Sequence, residues 1–379
     1  MALGTITLSS LILLFVYPFV IYPLLLAGWS RRKQRRDESA ALGSEPRVAL
    51  IICALNEQQV IRDKIENSLT LRYPQERLTI VVVSDGSTDR TPDIAREYQH
   101  AGVVLVDQKV RRGKIANLNE VIPSRTEEII VLSDANVLYH AEAVTRLVAR
   151  FTDASVGCVS GKVVLTDTTP DLDGSTGRYY SMEWALQEHA SAVYSMAGAD
   201  GAMYALRREL FRPCPNDTLI EDFVIPMQVI VQGSRVVLEP TALGWEKGVQ
   251  SLREEFRRKV RIAAGAAQAL LRGNAWPRNA PLCFWFIFVS HKVLRWLSPV
   301  TGALIILGAF VWFRDPLARI ALAGAGVMAV LAALRFVTGW KHALIDGPFY
   351  FLFGEIAVAI GLLKGFTGHQ TVLWAKENR

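Results

Sequence analysis

Cysteine is scarce and scattered. Cys53, Cys158, Cys214 and Cys283 stand far apart, with no CxxC pair and no metal-ligand spacing, which excludes a disulfide-stapled scaffold and a cysteine-based zinc site. They read as reduced, buried small residues, which suits a catalytic part facing the cytosol. No basic stripe with interleaved aromatics lies outside the apolar segments, so the formal charge of +6 does not point to nucleic acid. The positive excess sits beside apolar runs, where membrane lipids are the simpler partner. No positive charge precedes the first apolar run and no small-residue cleavage site follows it, so that run reads as a retained anchor and not a cleaved signal peptide. Charge is also missing from long stretches of a chain that is 51% hydrophobic and 21% charged, so apolar and polar residues are segregated along its 379 residues.

The first apolar run, Ile6 to Trp29, is followed at once by Arg31, Arg32, Lys33, Arg35 and Arg36. About 20 apolar residues span a bilayer core, and the basic cluster should stay cytoplasmic, leaving the N-terminus outside. Near the other end, Leu297 to Phe313, Leu317 to Val337 and Ile345 to Leu363 are long enough to span, while Cys283 to Val289 looks interfacial. Three spans there would put the tail outside, unless one run is interfacial or re-entrant.

Between these ends the pattern changes. Val48 to Leu55, Leu78 to Asp85, Val103 to Asp107 and Glu128 to Ala135 are short and β-branched, as buried parallel strands are. Helix-like stretches such as Gln59 to Leu69 and Asp89 to His100 alternate with them. The expectation is a doubly wound α/β sheet with ligands at the carboxyl ends of its strands. Leu252 to Leu271 reads as a basic helix on a membrane surface or as an ordinary solvated one. The expected units are 1–30 membrane helix, 31–45 basic linker, 46–248 α/β domain, 249–296 amphipathic interface helices, 297–366 membrane helices and 367–379 tail.

Five groups carry chemistry. Asn56 and Glu57 follow the first strand, and Asp85-Gly86-Ser87-Thr88-Asp89 follows the second. A strand-end carboxylate can accept from a base's ring N–H while Gly86 and the small hydroxyls permit close approach; equally, Asp85 or Ser87 could cap the next helix. Arg111-Arg112-Gly113-Lys114 suits a diphosphate or a plain surface loop. Asp134 and Asn136 present two oxygen-bearing side chains at i, i+2, facing the same way, able to hold Mg2+ or Mn2+ or to form an Asx turn. Glu221-Asp222, preceded by Gly198-Ala199-Asp200-Gly201, offers a general base or a helix N-terminus favoured by its dipole. Arg258 and Arg261 share a helix face and suit donor phosphates or lipid headgroups.

In this order the motifs VVSDGSTD, GKIANLN, SDAN, GADGAMYA and IEDF resemble the family 2 glycosyltransferases. The likeness is to the membrane-bound branch that includes cellulose, hyaluronan and poly-N-acetylglucosamine synthases. It runs from about Arg47 to Leu271. The resemblance implies a GT-A domain, a Rossmann-like nucleotide-sugar fold inserted between membrane helices. It also implies an inverting hexosyltransferase of the bacterial inner membrane with a cytoplasmic catalytic domain. By it, Asn56, Glu57, Asp85, Gly86, Ser87, Lys114, Asp134, Arg258 and Arg261 serve the donor, with Asp85 on the base. Asp134 and Asn136 serve Mg2+ or Mn2+, Asp200 and Gly201 the acceptor, and Asp222, with Glu221 beside it, supplies the general base. The implied partners are a nucleotide sugar (UDP by family default), a lipid-linked or glycan acceptor and membrane lipids.

Two departures stand out. The acidic motif ends in Asn136, not Asp, which weakens metal binding. Where processive members carry QxxRW, this chain has Arg258 to Ile262 and keeps only Arg261. That favours addition of one or a few sugars, as in exopolysaccharide repeat-unit assembly, over a processive synthase that extrudes its polymer.

Overall fold

A computed structural model describes residues 2–33, 45–166, 173–248 and 251–369. Most of the expected basic linker (34–44) and most of the tail (370–379) lie outside the described residues. The chain opens with α1 (Ala2–Val16), a π-helical turn and α2 (Tyr22–Arg32). Strands β1 (Val48–Ala54), β2 (Leu78–Asp85), β3 (Val104–Gln108) and β4 (Ile129–Asp134) follow, interleaved with α3 (Ile61–Leu69), α4 (Thr91–Glu97) and α5 (Lys114–Ser124). These four strands are the four apolar runs of the sequence. All are mutually parallel in the order β3-β2-β1-β4.

The sheet then departs from an all-parallel one. Beyond β4 come β5 (Val137–Tyr139), α6 (Ala143–Ala149), β6 (Val156–Thr166), α7 (Asp173–Val193), β7 (Met203–Arg207), α8 (Glu221–Val231) and β8 (Arg235–Lys247). They extend the sheet as β7-β6-β8-β5, with β7 antiparallel to both β4 and β6, and β5 antiparallel to β8. Period-two alternation divides the core between two faces. Val48, Leu50 and Ile52 pack with the helices α3, α4 and α6. Ala49 and Ile51 pack with α5, α8 and, unexpectedly, Tyr22 and Leu26 of the N-terminal apolar helix. That helix is also tied to α7 by Ser30 Oγ and His189 Nδ1 at 2.9 Å.

Helices complete the chain: α9 (Leu252–Arg272), α10 (Leu282–Phe288), α11 (Leu294–Trp296), α12 (Ser298–Val311), α13 (Pro316–Thr338) and α14 (Ala343–Thr367). Among the described residues three helical segments, Leu3–Arg32, Pro316–Thr338 and Leu344–Thr367, are long and apolar enough to cross a membrane. Only 6% of the most apolar window of Pro316–Thr338 is buried within the protein, which leaves its side chains for lipid. The expectation that Leu297 to Phe313 spans alone is corrected. Its helix has 14 residues, about 21 Å against a core of about 30 Å. Length enough is reached only together with Leu282–Trp296, across a 59° bend. The break falls at Leu297, and Pro299 stands in the first turn of the new helix, where it has no N–H to continue the preceding one; the Ser298 hydroxyl donates to the Arg295 carbonyl instead.

Helix α9 is amphipathic, as its composition implies, but its apolar side is buried in protein. Val260, Ala263, Ala264, Gly265, Ala266 and Ala267 are all buried. The four cysteines are free, with Cys158 and Cys214 buried and Cys53 and Cys283 only partly so.

Candidate active site

Parallel pairing puts the carboxyl ends of β1, β2 and β4 on one edge. In register, Cys53 of β1 lies beside Val83 and Asp134, so Asp85 and Asp134 flank the β1 terminus, about 10 Å apart at the usual strand spacing. Gly86 (φ 68) closes the loop after β2; a Cβ there would lie 2.5 Å from Arg111 N, so only glycine lets the 110–113 segment approach. Asp85 holds that segment: its carboxylate accepts from Arg112 N (2.7 Å), Gly113 N (2.9 Å) and Asn117 Nδ2 (2.8 Å). Asn56, the single non-glycine residue with positive φ among those described, joins the first loop to the second. Its N–H donates to Ser87 Oγ and its Oδ1 accepts from Thr88 N. Glu57 N donates to Thr91 Oγ1. The next helix is capped by neither Asp85 nor Ser87; Asp89 Oδ1 accepts from Thr91 N instead.

Gly113, held by Asp85, starts α5 and places Lys114 at the centre of the site. The ammonium lies 2.8 Å from Asp134 Oδ1 and 2.8 Å from Glu221 Oε1, and 3.4 Å from the Gly201 carbonyl. Glu221 and Asp222 form the first turn of α8, as the helix N-terminus reading has it, and from there their carboxylates lie against Lys114 and Gly201. The 198–203 turn packs on them. Ala199 N donates to the Asp222 carbonyl, and a Cβ on Gly201 would lie 2.9 Å from Asp222 Oδ2. Asp134, Glu221, Asp222, Asp200 and Gly201 are thus brought together around Lys114.

The charges perturb one another. Burial, reinforced by Glu221, raises the Asp222 carboxyl to about 6 against the pull of Arg261 and Lys114. Burial and the repulsion of Glu246, Asp222 and Asp134 raise Asp200 to about 7, against a hydrogen bond from the Ala202 backbone. Burial opposes ionisation of Glu221 too, but Lys114 and Arg261 outweigh it and hold its carboxyl below the ordinary value. Lys114, although largely desolvated, is held well above its usual range by Asp134 and Glu221. Perturbation of this kind gathers where chemistry is done.

Other expected residues have different neighbours. Asn136 donates from Nδ2 to Glu246 Oε1 at 2.9 Å, leaving its carbonyl oxygen as the group a cation could use. Among the described residues no cluster of three or more His, Cys, Asp or Glu could by itself hold a metal. Arg261 donates to the Leu219 carbonyl at 2.9 Å and lies within electrostatic reach of both acids of α8, whereas Arg258 pairs with Glu255 at 3.0 Å. Glu246, on β8, was missed from the sequence: nothing in GWEKG marks a functional acid when β8 itself is not anticipated. Lys64 was missed as well. It is wholly buried under the Asp134–Asn136 turn, with Nζ on the Val137 carbonyl and 3.7 Å from the Tyr139 ring centre.

Residues 49–213 match the family model described as "Glycosyl transferase family 2". The chain is 27% identical over 241 residues to a probable glycosyltransferase, YdaM, of Bacillus subtilis, covering 60% of this chain and 57% of that protein. It is 23% identical over 236 residues to the poly-beta-1,6-N-acetyl-D-glucosamine synthase of Staphylococcus epidermidis, covering 61% and 57%. The chain thus spans a little over half the length of these curated relatives. Among solved structures it is similar in fold to the mannosyltransferase PcManGT from Pyrobaculum calidifontis, solved in complex with GDP-Man and Mn2+. There the TM-score is 0.73 at 22% identity, over 96% of this chain and 99% of that one. Residues 49–213 are thus similar to a family 2 glycosyl transferase domain, on a mixed α/β, GT-A-like sheet, and the likeness to glycosyltransferases supports a transferase.

Proposed function

We propose that the chain is an inverting hexosyltransferase. It moves a sugar from a nucleotide-diphosphate donor to the hydroxyl of a lipid-linked or glycan acceptor, at the cytoplasmic face of the bacterial inner membrane. The observation that carries this reading is the meeting of Asp134, Lys114, Glu221 and Asp222 at one sheet edge. Asp85 and the loop it holds form the nucleotide end of the cleft, with Asn56, Glu57, Gly86 and Ser87 shaping its wall. Lys114 and Arg261 supply positive charge for the diphosphate, with Arg258 one helical turn away. Asp222, ionised, accepts the proton of the acceptor hydroxyl as that oxygen bonds to the anomeric carbon. The bond from that carbon to the diphosphate breaks, and the nucleotide diphosphate leaves with its electron pair. Asp200 and Gly201, against Asp222, line the acceptor side.

The residues present suit a divalent ion that shares phosphate oxygens, since such ions need only one or two protein ligands. Asp134, with 41% of its side chain exposed, and the Asn136 carbonyl oxygen would hold it. When bound, the ion neutralises charge developing on the leaving diphosphate. That PcManGT was solved with GDP-Man and Mn2+ supports both donor class and metal. Titrating membranes with EDTA should abolish transfer, and Mn2+ or Mg2+ should restore it; full activity in excess chelator would refute the metal assignment.

A panel of UDP- and GDP-sugars, assayed for diphosphate release in membranes with and without lipid extract, tests the function itself. Release should occur with one hexose donor and be stimulated by the extract. Survival of Arg261 alone from the processive pattern supports one or a few additions. The likeness to a polysaccharide synthase supports the rival. A long polymer made from purified protein and donor alone would decide for that rival.

A further inference from the structure

The Asp217–Ile220 turn that presents Glu221 and Asp222 has no side-chain cap of its own at the start of α8; it is held from α9. Gln268 accepts from Leu219 N at 3.1 Å and donates to the Asp217 carbonyl at 2.8 Å. Arg261 donates to the Leu219 carbonyl at 2.9 Å, and Arg272 pairs with the Asp217 carboxylate. Gly265 lies against Ile220, where a Cβ would be 2.7 Å from Ile220 Cγ2. Residues 261, 265, 268 and 272 recur at i, i+4, i+7 and i+11, one stripe of a helix.

The stripe roughly 110° around the same axis packs on α14. A Cβ on Gly361 would lie 2.5 Å from Ala263 Cβ and from the Val260 carbonyl. One on Gly365 would lie 2.5 Å from the Ala264 carbonyl and 2.6 Å from Ala267 Cβ. Two backbones approach this closely only where both sides are Gly or Ala. Directly between the turn and the end of α14 there is instead a cavity of about 470 Å³. Asp217 and Leu219 line one side of it, and Lys364 and Phe366 the other.

We propose that Gln268 and Gly265 of α9, with Gly361 and Gly365 of α14, are positioning residues for the acidic pair. A helix long and apolar enough to cross the membrane sets the place of the catalytic carboxylates, with α9 as the rigid part between them. The catalytic half of this statement rests on the function proposed above; the mechanical half does not.

The test is amide hydrogen exchange of the segment 217–223 in the full chain, reconstituted in phospholipid nanodiscs. Gly361→Val and Gly365→Val must displace α9, and Gln268→Ala releases the turn without touching the seam. Each should speed exchange of 217–223 at least tenfold and lower kcat about tenfold, with donor KM changed less than twofold. Gly354→Val, in the same helix with nothing within 4 Å of its added carbon, should change none of these. If the valine variants do not fold, Gly365→Ala and Gln268→Ala carry the same test. Unchanged exchange of 217–223 while α9 itself exchanges faster would overturn the proposal, as would an equal effect from Gly354→Val. Faster exchange with unchanged kcat would remove the acids' catalytic role and leave the mechanical coupling standing.

Discussion

Replacing Asp222 by Asn should slow transfer by about 10²- to 10⁴-fold, the usual range for loss of a general base, while nucleotide-donor affinity stays within a few-fold. The amide keeps the shape that fits against Gly201 and removes only the capacity to take a proton. The same carboxyl sets a pH limb. Burial and Glu221 raise it to about 6, and a base acts only when ionised, so kcat/KM should climb as pH rises through about 6 and level off above. In Asp222→Asn the residual rate should lose that limb. Initial rates between pH 4.5 and 8, with donor binding measured by calorimetry, check both statements. Undiminished turnover in the variant would take Asp222 out of the mechanism.

Lys114→Ala should have the second largest effect, on binding and stability together. Its ammonium is the shared partner of Asp134 and Glu221, 2.8 Å from each; without it those carboxylates and Asp222 face one another. Breaking a buried ion pair by removing one partner costs about 3–5 kcal/mol. With a quarter of the Lys114 side chain exposed, the lower end applies, about 3 kcal/mol. The sign of the pH dependence follows from Glu221. Its carboxyl is held below the ordinary value in the folded state, so the pair's contribution is present above the ordinary carboxylate range. It is lost as pH falls through the depressed value. Thermal melts of wild type and variant should therefore differ most near neutrality and converge in acid. In the kinetics, donor KM should rise more than tenfold and the Asp222 limb should move above 6. A variant that melts like the wild type at pH 7 would contradict this electrostatic account.

Much of the catalytic half was legible because its signals are local. A parallel strand buried on both faces reads as an unbroken β-branched run, so β1 to β4 and the acids at their ends could be placed from four short stretches. The antiparallel pairing of β7 with β4, and of β6 with β7 beyond it, could not, because this extension of a parallel sheet joins segments some 70 residues apart, from residues around 133 to 203. The positions of Glu246 and Lys64 depend on that sheet and were hidden with it. By composition the Leu297 to Phe313 run is long enough; the break at Leu297 beside Pro299 is a matter of residue position, which composition does not record.

The roles of residues in α9 divide along the same line. Its amphipathic period and basic face are properties of consecutive residues. Its partner is not: an Ala-rich stripe is equally suited to lipid, to a second helix or to a sheet. Short-range physics is written in residue type and spacing, and from it came the strand ends, the glycine after Asp85 and the long apolar helices. Which acid faces which cation, and which small residues meet, depends on contacts between segments up to about a hundred residues apart, as between Val260 and Gly361. Those contacts exist only once the chain has closed on itself, so Lys114 between Asp134 and Glu221, and α9 between the acids and α14, were decided by tertiary structure alone.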